Sequence, residues 1–127
     1  MTFEYAASSL FAAAFLMPLL AASAQAGEAD VVGVEVHRQG DGAYRFDVTV
    51  RHDDEGWDHF ADKWVVEDGD GAVLGERVLQ HPHVNEQPFT RSLSGVSIPS
   101  GIDAVVIRAH DSVHEWGGAE KRVEIPE

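Results

Sequence analysis

Apolar side chains recur at every second position along most of this chain from residue 30 onward, which is the period of a β-strand with one buried face. The clearest example runs over residues 44–50, where Tyr, Phe, Val and Val alternate with Arg, Asp and Thr. No segment of this region stands out with the 3.6-residue apolar period of an amphipathic helix. The alternation therefore predicts an all-β domain made of half-buried strands.

Glycine, proline and aspartate interrupt this alternation about every ten residues, a spacing typical of short antiparallel strands. The segment 68–71 contains two Asp-Gly pairs, which favour a hairpin turn, and Leu79 stands where a calcium-binding EF-hand loop would need glutamate. Seven strands are predicted: 32–36, 44–50, 64–67, 72–74, 89–98, 104–109 and 122–125. We therefore expect a seven-stranded antiparallel sandwich, immunoglobulin-like or of the fibronectin type.

The first 26 residues have a different composition from the rest. An apolar run from Leu10 to Ala22 is followed by Ala24-Gln25-Ala26 and then by a polar segment. This pattern predicts a secretory signal peptide over 1–26 and a mature domain over 27–127, although the first nine residues carry Glu4 and no Lys or Arg. The run is too short to span a bilayer, so we expect a periplasmic or secreted protein with no stable membrane insertion after cleavage.

Composition limits the partners and the metal chemistry. The whole chain carries a net charge of −13, and without Glu4 the mature domain has 9 − 21 = −12, which disfavours nucleic acid and anionic lipid. The chain has no cysteine, and both methionines fall within 1–26. Any metal in the mature domain must therefore be bound by imidazole nitrogen and by oxygen.

Histidine is the residue type with the most informative placement. Six of the seven histidines fall in three segments, 52–59, 81–83 and 110–114, which follow the second, fourth and sixth predicted strands. Successive antiparallel strands alternate in direction, so these three connections are expected to meet at one end of the sandwich. His37 ends the first strand at the opposite end.

The clustering predicts a transition-metal site for Zn or Cu(II), the ions that three or four neutral nitrogens suit best. His81 and His83 are its expected nucleus, because residues two apart on an extended chain project to the same face and Pro82 holds the backbone extended. One or two further nitrogens would come from the other four histidines of the three segments: His52, His59, His110 and His114. Three carboxylates lie beside His52 and His59 and are expected either to orient the rings or to bind the ion: Asp53, Asp54 and Asp58.

The strand pattern also predicts which way individual side chains face. His52 continues the inward row of residues 44–50, whereas His110 shares the outward parity of Arg108. Trp64 is expected in the core. Trp57 and Trp116 are expected to pin the histidine-bearing loops to the sandwich; the alternative is a stacking surface for a ligand or a hydrophobic wall around a metal.

Two segments, HPHVNEQPFTRSL over 81–93 and WDHFAD over 57–62, resemble an uncharacterised family of small bacterial exported, periplasmic proteins that have an HPHVNEQPF-like segment. The resemblance covers most of the mature chain and implies no activity. The patterns favour an exported metal-binding protein, with a role in metal handling. A non-catalytic binding or adaptor module whose His and Trp loops contact a periplasmic protein or a small ligand is the alternative. A metal-dependent enzyme with Glu86 or Glu115 as general base is less favoured.

Overall fold

The computed structural model describes residues 27–127, which form seven β-strands and, within that range, no helix. The strands are β1 (Asp30–Gly40), β2 (Ala43–Arg51), β3 (Ala61–Glu67), β4 (Val73–Val78), β5 (Phe89–Ser97), β6 (Ala104–Asp111) and β7 (Lys121–Glu124). The prediction of an all-β domain with seven strands is confirmed. The predicted signal peptide, 1–26, lies outside the described residues.

The strands form two antiparallel sheets, one with the order β1-β2-β5 and one with the order β4-β3-β6-β7. Inward-facing side chains from both sheets join in one hydrophobic cluster. The most deeply buried of its large members are Trp64, Phe46, Phe89 and Ile107. Trp64 is 0% exposed on β3, as predicted for a core tryptophan.

The turn between β3 and β4 shows why the Asp-Gly pairs are there. The Asp68 side chain accepts hydrogen bonds from the backbone N–H groups of Asp70 and Ala72, each at 2.9 Å. Gly71 has a φ of 85°, a left-handed conformation that glycine adopts without steric cost. The predicted hairpin is therefore confirmed, and its geometry depends on one aspartate and one glycine.

The register of β3 against β6 positions the histidine-bearing end of the molecule. Ala61 pairs with Asp111, so the chain that enters β3 lies beside the end of β6. The connections from β2 to β3, from β4 to β5 and from β6 to β7 lie at this same end, because the strands alternate in direction. Residues 27–127 contain no helix long and apolar enough to cross a membrane.

Candidate metal centre

The centre forms where β2 and β6, from opposite sheets, each continue their inward-facing row with a polar residue. His52 follows the buried row of β2, and Asp111 follows the row Val105, Ile107 and Ala109 on β6. The His52 Nε2 atom contacts the Asp111 Oδ2 atom, and both side chains are 0% exposed. Two ionisable groups therefore meet where the hydrophobic core ends.

His59 is the third member of the centre. It lies in a tight loop in which its own N–H donates to the Gly56 carbonyl, at 3.2 Å, and its carbonyl accepts from the Glu55 N–H, at 2.9 Å. Its Nε2 atom is 2.7 Å from Asp111 Oδ2. One potential ligand atom each from His52, His59 and Asp111 lies within 4.8 Å of the others, and all three residues are buried. Two imidazoles and a carboxylate in this arrangement can hold a metal ion.

Asp111 is held in place by the backbone that follows it. Its Oδ1 atom accepts hydrogen bonds from the N–H groups of Val113, at 2.6 Å, and His114, at 2.7 Å. Burial raises the pKa of Asp111, but these N–H groups and the adjacent His52 and His59 rings outweigh it, so the pKa is lowered. The carboxylate is therefore kept ionised, with Oδ2 left to face the two imidazoles.

Asp54 orients His52 from the other side of the ring. Its carboxylate accepts from His52 Nδ1 at 2.5 Å, from the His83 N–H at 2.6 Å and from the Ala61 N–H at 3.0 Å. These contacts lower the pKa of Asp54, although its burial raises it. A carboxylate on one ring nitrogen fixes the orientation of a histidine whose other nitrogen binds a metal, and Asp54 is placed to act in this way.

The two buried carboxylates, Asp54 and Asp111, set the electrostatics of the His52 ring. Burial alone lowers the pKa of His52, but the hydrogen bond to Asp54 and the negative charges of Asp111 and Asp54 outweigh it, so the pKa is raised. Two ionised carboxylates that are 0% exposed need compensating positive charge, because an unpaired buried charge is strongly disfavoured. Either imidazolium protons or a divalent cation can supply that charge.

Two further potential ligands border the centre. The ring of His114 lies 5.0 Å from that of His59, and its Nδ1 atom is 3.4 Å from Asp111 Oδ1. The Gly27 carbonyl oxygen is 3.1 Å from His52 Nε2. His114 is 40% exposed, so this side of the centre opens to solvent.

The other predicted ligands lie outside this group. His110 faces outward, as its parity predicted; its Nδ1 atom is 2.5 Å from Asp62 and its ring packs edge-on against Trp116. The ring centroids of His81 and His83 are 4.6 Å apart. This pair is connected to the centre through Asp54, which accepts a hydrogen bond from the His83 backbone N–H and another from His52. Within 27–127, neither group of three or more close metal-ligand atoms contains His81, His83, His110 or His114.

Asp111 is the member of the centre that the sequence prediction did not include. The predicted sixth strand stops at Ala109, whereas β6 continues to Asp111. Extending the alternation of Val105, Ile107 and Ala109 by one step would have placed Asp111 on the inward face beside His52. The signal was therefore present in the period of the strand.

The tryptophans of the loops differ from each other. Trp116 is half-buried against the outer face of its sheet, with the Arg108 guanidinium 5.0 Å and the Lys63 ammonium 5.5 Å from its ring centroid. Trp57 is 69% exposed, and the Phe60 ring meets it edge-on at 5.7 Å. The prediction that Trp57 pins its loop to the sandwich is wrong, because the tight turn at 56–59 projects this side chain into solvent.

A second, more exposed group of potential ligands lies on the outer face of the other sheet. His37 Nε2 is 2.9 Å from Asp47 and 3.7 Å from Glu35. Asp47 already accepts from Ser92 Oγ at 2.5 Å and pairs with Arg45 at 3.3 Å. A hydrogen bond from Ser92 and the charge of Arg45 lower the pKa of Asp47 against a partial opposing effect of burial. This group is explained by surface ion pairing.

Comparison with known proteins gives one relative and no assigned activity. A protein of Halomicrobium mukohataei named "Putative lipoprotein" is 46% identical over 91 residues, which are 72% of this chain. The chain spans 44% of the length of that relative. No family model matches the chain. No solved structure matches it.

Proposed function

We propose that this protein is an exported metal-binding protein that holds Zn(II) or Cu(II) at the end of its sandwich and takes part in metal handling. The convergence of His52, His59 and Asp111 in a buried site is the observation that carries the proposal. Two imidazoles and a carboxylate are an established ligand set for zinc, and Cu(II) binds nitrogen and oxygen donors more tightly than zinc does.

The proposed ligands are His52 Nε2, His59 Nε2 and Asp111 Oδ2, with His114 as the fourth. Neighbouring ligands of a tetrahedral zinc ion lie about 3.3 Å apart, as expected from bonds of about 2.0–2.1 Å. His59 and Asp111 are 2.7 Å apart in a hydrogen bond. Uptake of the ion would replace the shared proton and widen this gap by about 0.6 Å, which the loop carrying His59 can accommodate. His81, His83 and His110 stay predicted ligands that the experiment below tests.

The finer fold class and the location are part of the same proposal. The fourth strand pairs with β3, whereas in an immunoglobulin constant-type domain it would join the sheet of the first, second and fifth strands. This order favours the fibronectin type. The name of the relative and the predicted signal peptide support export, with cleavage after Ala26. For the mature protein we propose a periplasmic or secreted location.

Metal analysis of the untagged protein, residues 27–127, purified without chelator tests the proposal. We expect one zinc or copper ion per chain, or uptake of one on titration. His59→Gln and Asp111→Asn should each weaken binding by more than the about 10–100-fold that loss of an orienting residue costs. His37→Gln is the matched control and should leave binding unchanged, because His37 lies outside the centre, in the exposed group that surface ion pairing explains.

The outcomes separate the possible ligand sets. Circular dichroism first establishes that each variant is folded. Loss of metal in a His81→Ala/His83→Ala double variant, with binding intact in His59→Gln, would replace the proposed ligands by the pair predicted from sequence. A metal content far below one ion per chain, with no uptake on titration, would contradict the proposed metal-binding function.

A binding or adaptor function is the second candidate, and exposed apolar side chains support it. Trp57 is 69% exposed, and Val84 and Val113 are each 54% exposed, one in each of the three loops at the metal-site end. Exposed apolar groups at one end are typical of a contact surface. If this function holds, Trp57→Ala should abolish capture of a periplasmic partner while chelator leaves capture intact.

A further inference from the structure

A small pocket separate from the metal centre lies between the edge strand β4, the start of β5 and the loop that joins them. Its volume is about 160 Å³, well below the about 300–1,000 Å³ of pockets for drug-sized ligands. The lining residues are Arg77, Leu79, Gln80, His81, His83 and Arg91. Apart from one leucine, every lining side chain carries hydrogen-bond donors.

The pocket is locally basic in an acidic protein. Two of the nine Lys and Arg residues line it, although the chain has a net charge of −13. Arg77 donates to the backbone carbonyls of Ser92, at 3.0 Å, and Val78, at 2.8 Å. Arg91 donates to the carbonyl of the preceding residue at 2.7 Å and pairs with Glu86 at 3.2 Å. Each guanidinium has five N–H donors, so these contacts leave donors over for a ligand.

His83 is the strongest sign that the pocket has an occupant. Its side chain is 3% exposed, and within 27–127 neither ring nitrogen has a hydrogen-bond partner. The ring cannot easily turn to find one, because it stacks on Phe89 with centroids 3.9 Å apart and its backbone N–H is held by Asp54. Buried polar groups without partners are rare in folded proteins, and those that occur call for an explanation.

The charges around the rings decide between a cation and an anion. Burial, followed by the charge of Arg91 and by that of His81 when it is protonated, lowers the pKa of His83. The carboxylates of Glu86 and of Asp54, whose Oδ2 atom is 3.9 Å from His83 Nδ1, oppose this shift only in part. The guanidinium groups of Arg77 and Arg91 line the same pocket as this ring and disfavour a divalent cation there. Arginine is the side chain that most often binds carboxylate and phosphate oxygens, because its planar N–H groups match them in pairs.

We propose that this pocket binds a small oxyanion, of the phosphate, sulfate or carboxylate class, between Arg77 and Arg91, with the His83 ring as a further donor. The site is distinct from the proposed metal centre, because the two share no ligand. Asp54 lies between them, in contact with His52 and with the backbone of His83.

Phosphate, sulfate and acetate are each titrated into residues 27–127 with chelator present, while the imidazole signals of His81 and His83 are followed by NMR. We expect at least one anion to give a saturable shift, and comparison of the three shows whether the site prefers a tetrahedral or a planar anion. Arg91→Gln and Arg77→Gln should each weaken binding about tenfold or more, because a charge-assisted hydrogen bond is lost.

Arg38→Gln is the matched control, because Arg38 is also an arginine on a strand. Its guanidinium donates to the Gly40 carbonyl at 3.5 Å and lies 3.6 Å from exposed Asp41, away from the pocket. It should bind the anion as the unaltered protein does. His83→Phe keeps the stacking shape, so it should stay folded and lose affinity. The proposal fails if no anion gives a saturable shift, or if Arg38→Gln weakens binding as much as Arg91→Gln. It also fails if zinc, titrated separately without chelator, shifts the two rings and no anion does.

Discussion

At the scale of single residues, two aspartates determine the chemistry of the candidate centre. Asp111 contacts both imidazoles directly, and Asp54 touches only the far nitrogen of His52 together with two backbone N–H groups. The first is a proposed ligand and the second a positioning residue. Asp54 also links three segments of chain, since its partners come from two of the three histidine-bearing loops and from β3.

The adjacent pair Asp53 and Asp54 offers a matched test of this difference. Asp54→Asn should lower the free energy of unfolding by about 2–4 kcal/mol, because one buried charge-assisted hydrogen bond is lost and its partners are left unmatched. Zinc affinity should fall about 10–100-fold, the usual effect of losing a residue that orients a ligand. Urea unfolding with chelator and zinc titration measure the two effects.

Asp53→Asn removes the same charge from an exposed side chain next in sequence. It should change stability by less than about 0.5 kcal/mol and leave zinc affinity nearly unchanged. Equal losses in both variants would mean that net charge, and not the contacts of Asp54, controls the site.

At the scale of strands and turns, parity and register position the centre. β2 and β6 belong to different sheets. In each, the row of inward-facing apolar side chains is followed by one inward-facing polar residue, His52 after β2 and Asp111 at the end of β6. The pairing of Ala61 with Asp111 then brings the loop that carries His59 to the same point. A shift of one residue in either strand would turn one of these side chains outward.

The hairpin of β3 and β4 forms one edge of the four-stranded sheet, and the geometry of its turn can be tested by glycine substitutions. Gly71 has a φ of 85°, so Gly71→Ala should cost about 1–2 kcal/mol through the steric penalty of the left-handed conformation. Gly69 lies in the same turn outside the left-handed region, with open space around it, so Gly69→Ala should cost less than about 0.5 kcal/mol. Thermal unfolding of both variants measures the difference, and equal costs would refute the assigned turn geometry.

At the scale of the whole molecule, stability should depend on pH in opposite ways with and without metal. The raised pKa of His52 contributes stability that is complete below about 6.5 and lost as pH rises through the folded-state value. The lowered pKa of His83 contributes stability that is present above about 6.5 and lost as pH falls. The lowered pKa values of Asp54 and Asp111 also contribute stability that is lost as pH falls, but only below about pH 4.

With chelator, the contribution of these groups should therefore be greatest near pH 6.5 and fall above it, by at most about 1.4 kcal/mol per pH unit for one proton. With saturating zinc it should instead rise above pH 6.5, because metal ligands bind in their deprotonated forms. Urea unfolding from pH 5 to 8.5 in both conditions measures this. Asp54→Asn removes a contact that raises the His52 pKa, so with chelator its stability should fall less steeply above pH 6.5. If stability changes with pH in the same way with and without zinc, the proposed metal centre is contradicted.

Four features could be predicted from the sequence alone: the all-β class, the seven strands, the 68–71 turn and the meeting of three histidine-bearing loops at one end. These features follow from a period of two, from turn residues and from the alternating direction of antiparallel strands, all of which are local or counted along the chain. The inward parity of His52 and the outward parity of His110 follow in the same way.

Which of those side chains meet depends on how distant segments of the chain pack against each other. His59 and Asp111 are 52 residues apart, and their contact depends on the register of β3 against β6 and on a turn at Gly56. The same packing stacks His83 on Phe89 and places it in a pocket that two arginines also line. Its chemistry there differs from that of His52, although both are buried histidines in loops at one end. Sequence spacing gives the face on which a residue lies, but contacts between distant segments depend on how two sheets pack, and that is fixed by the core as a whole.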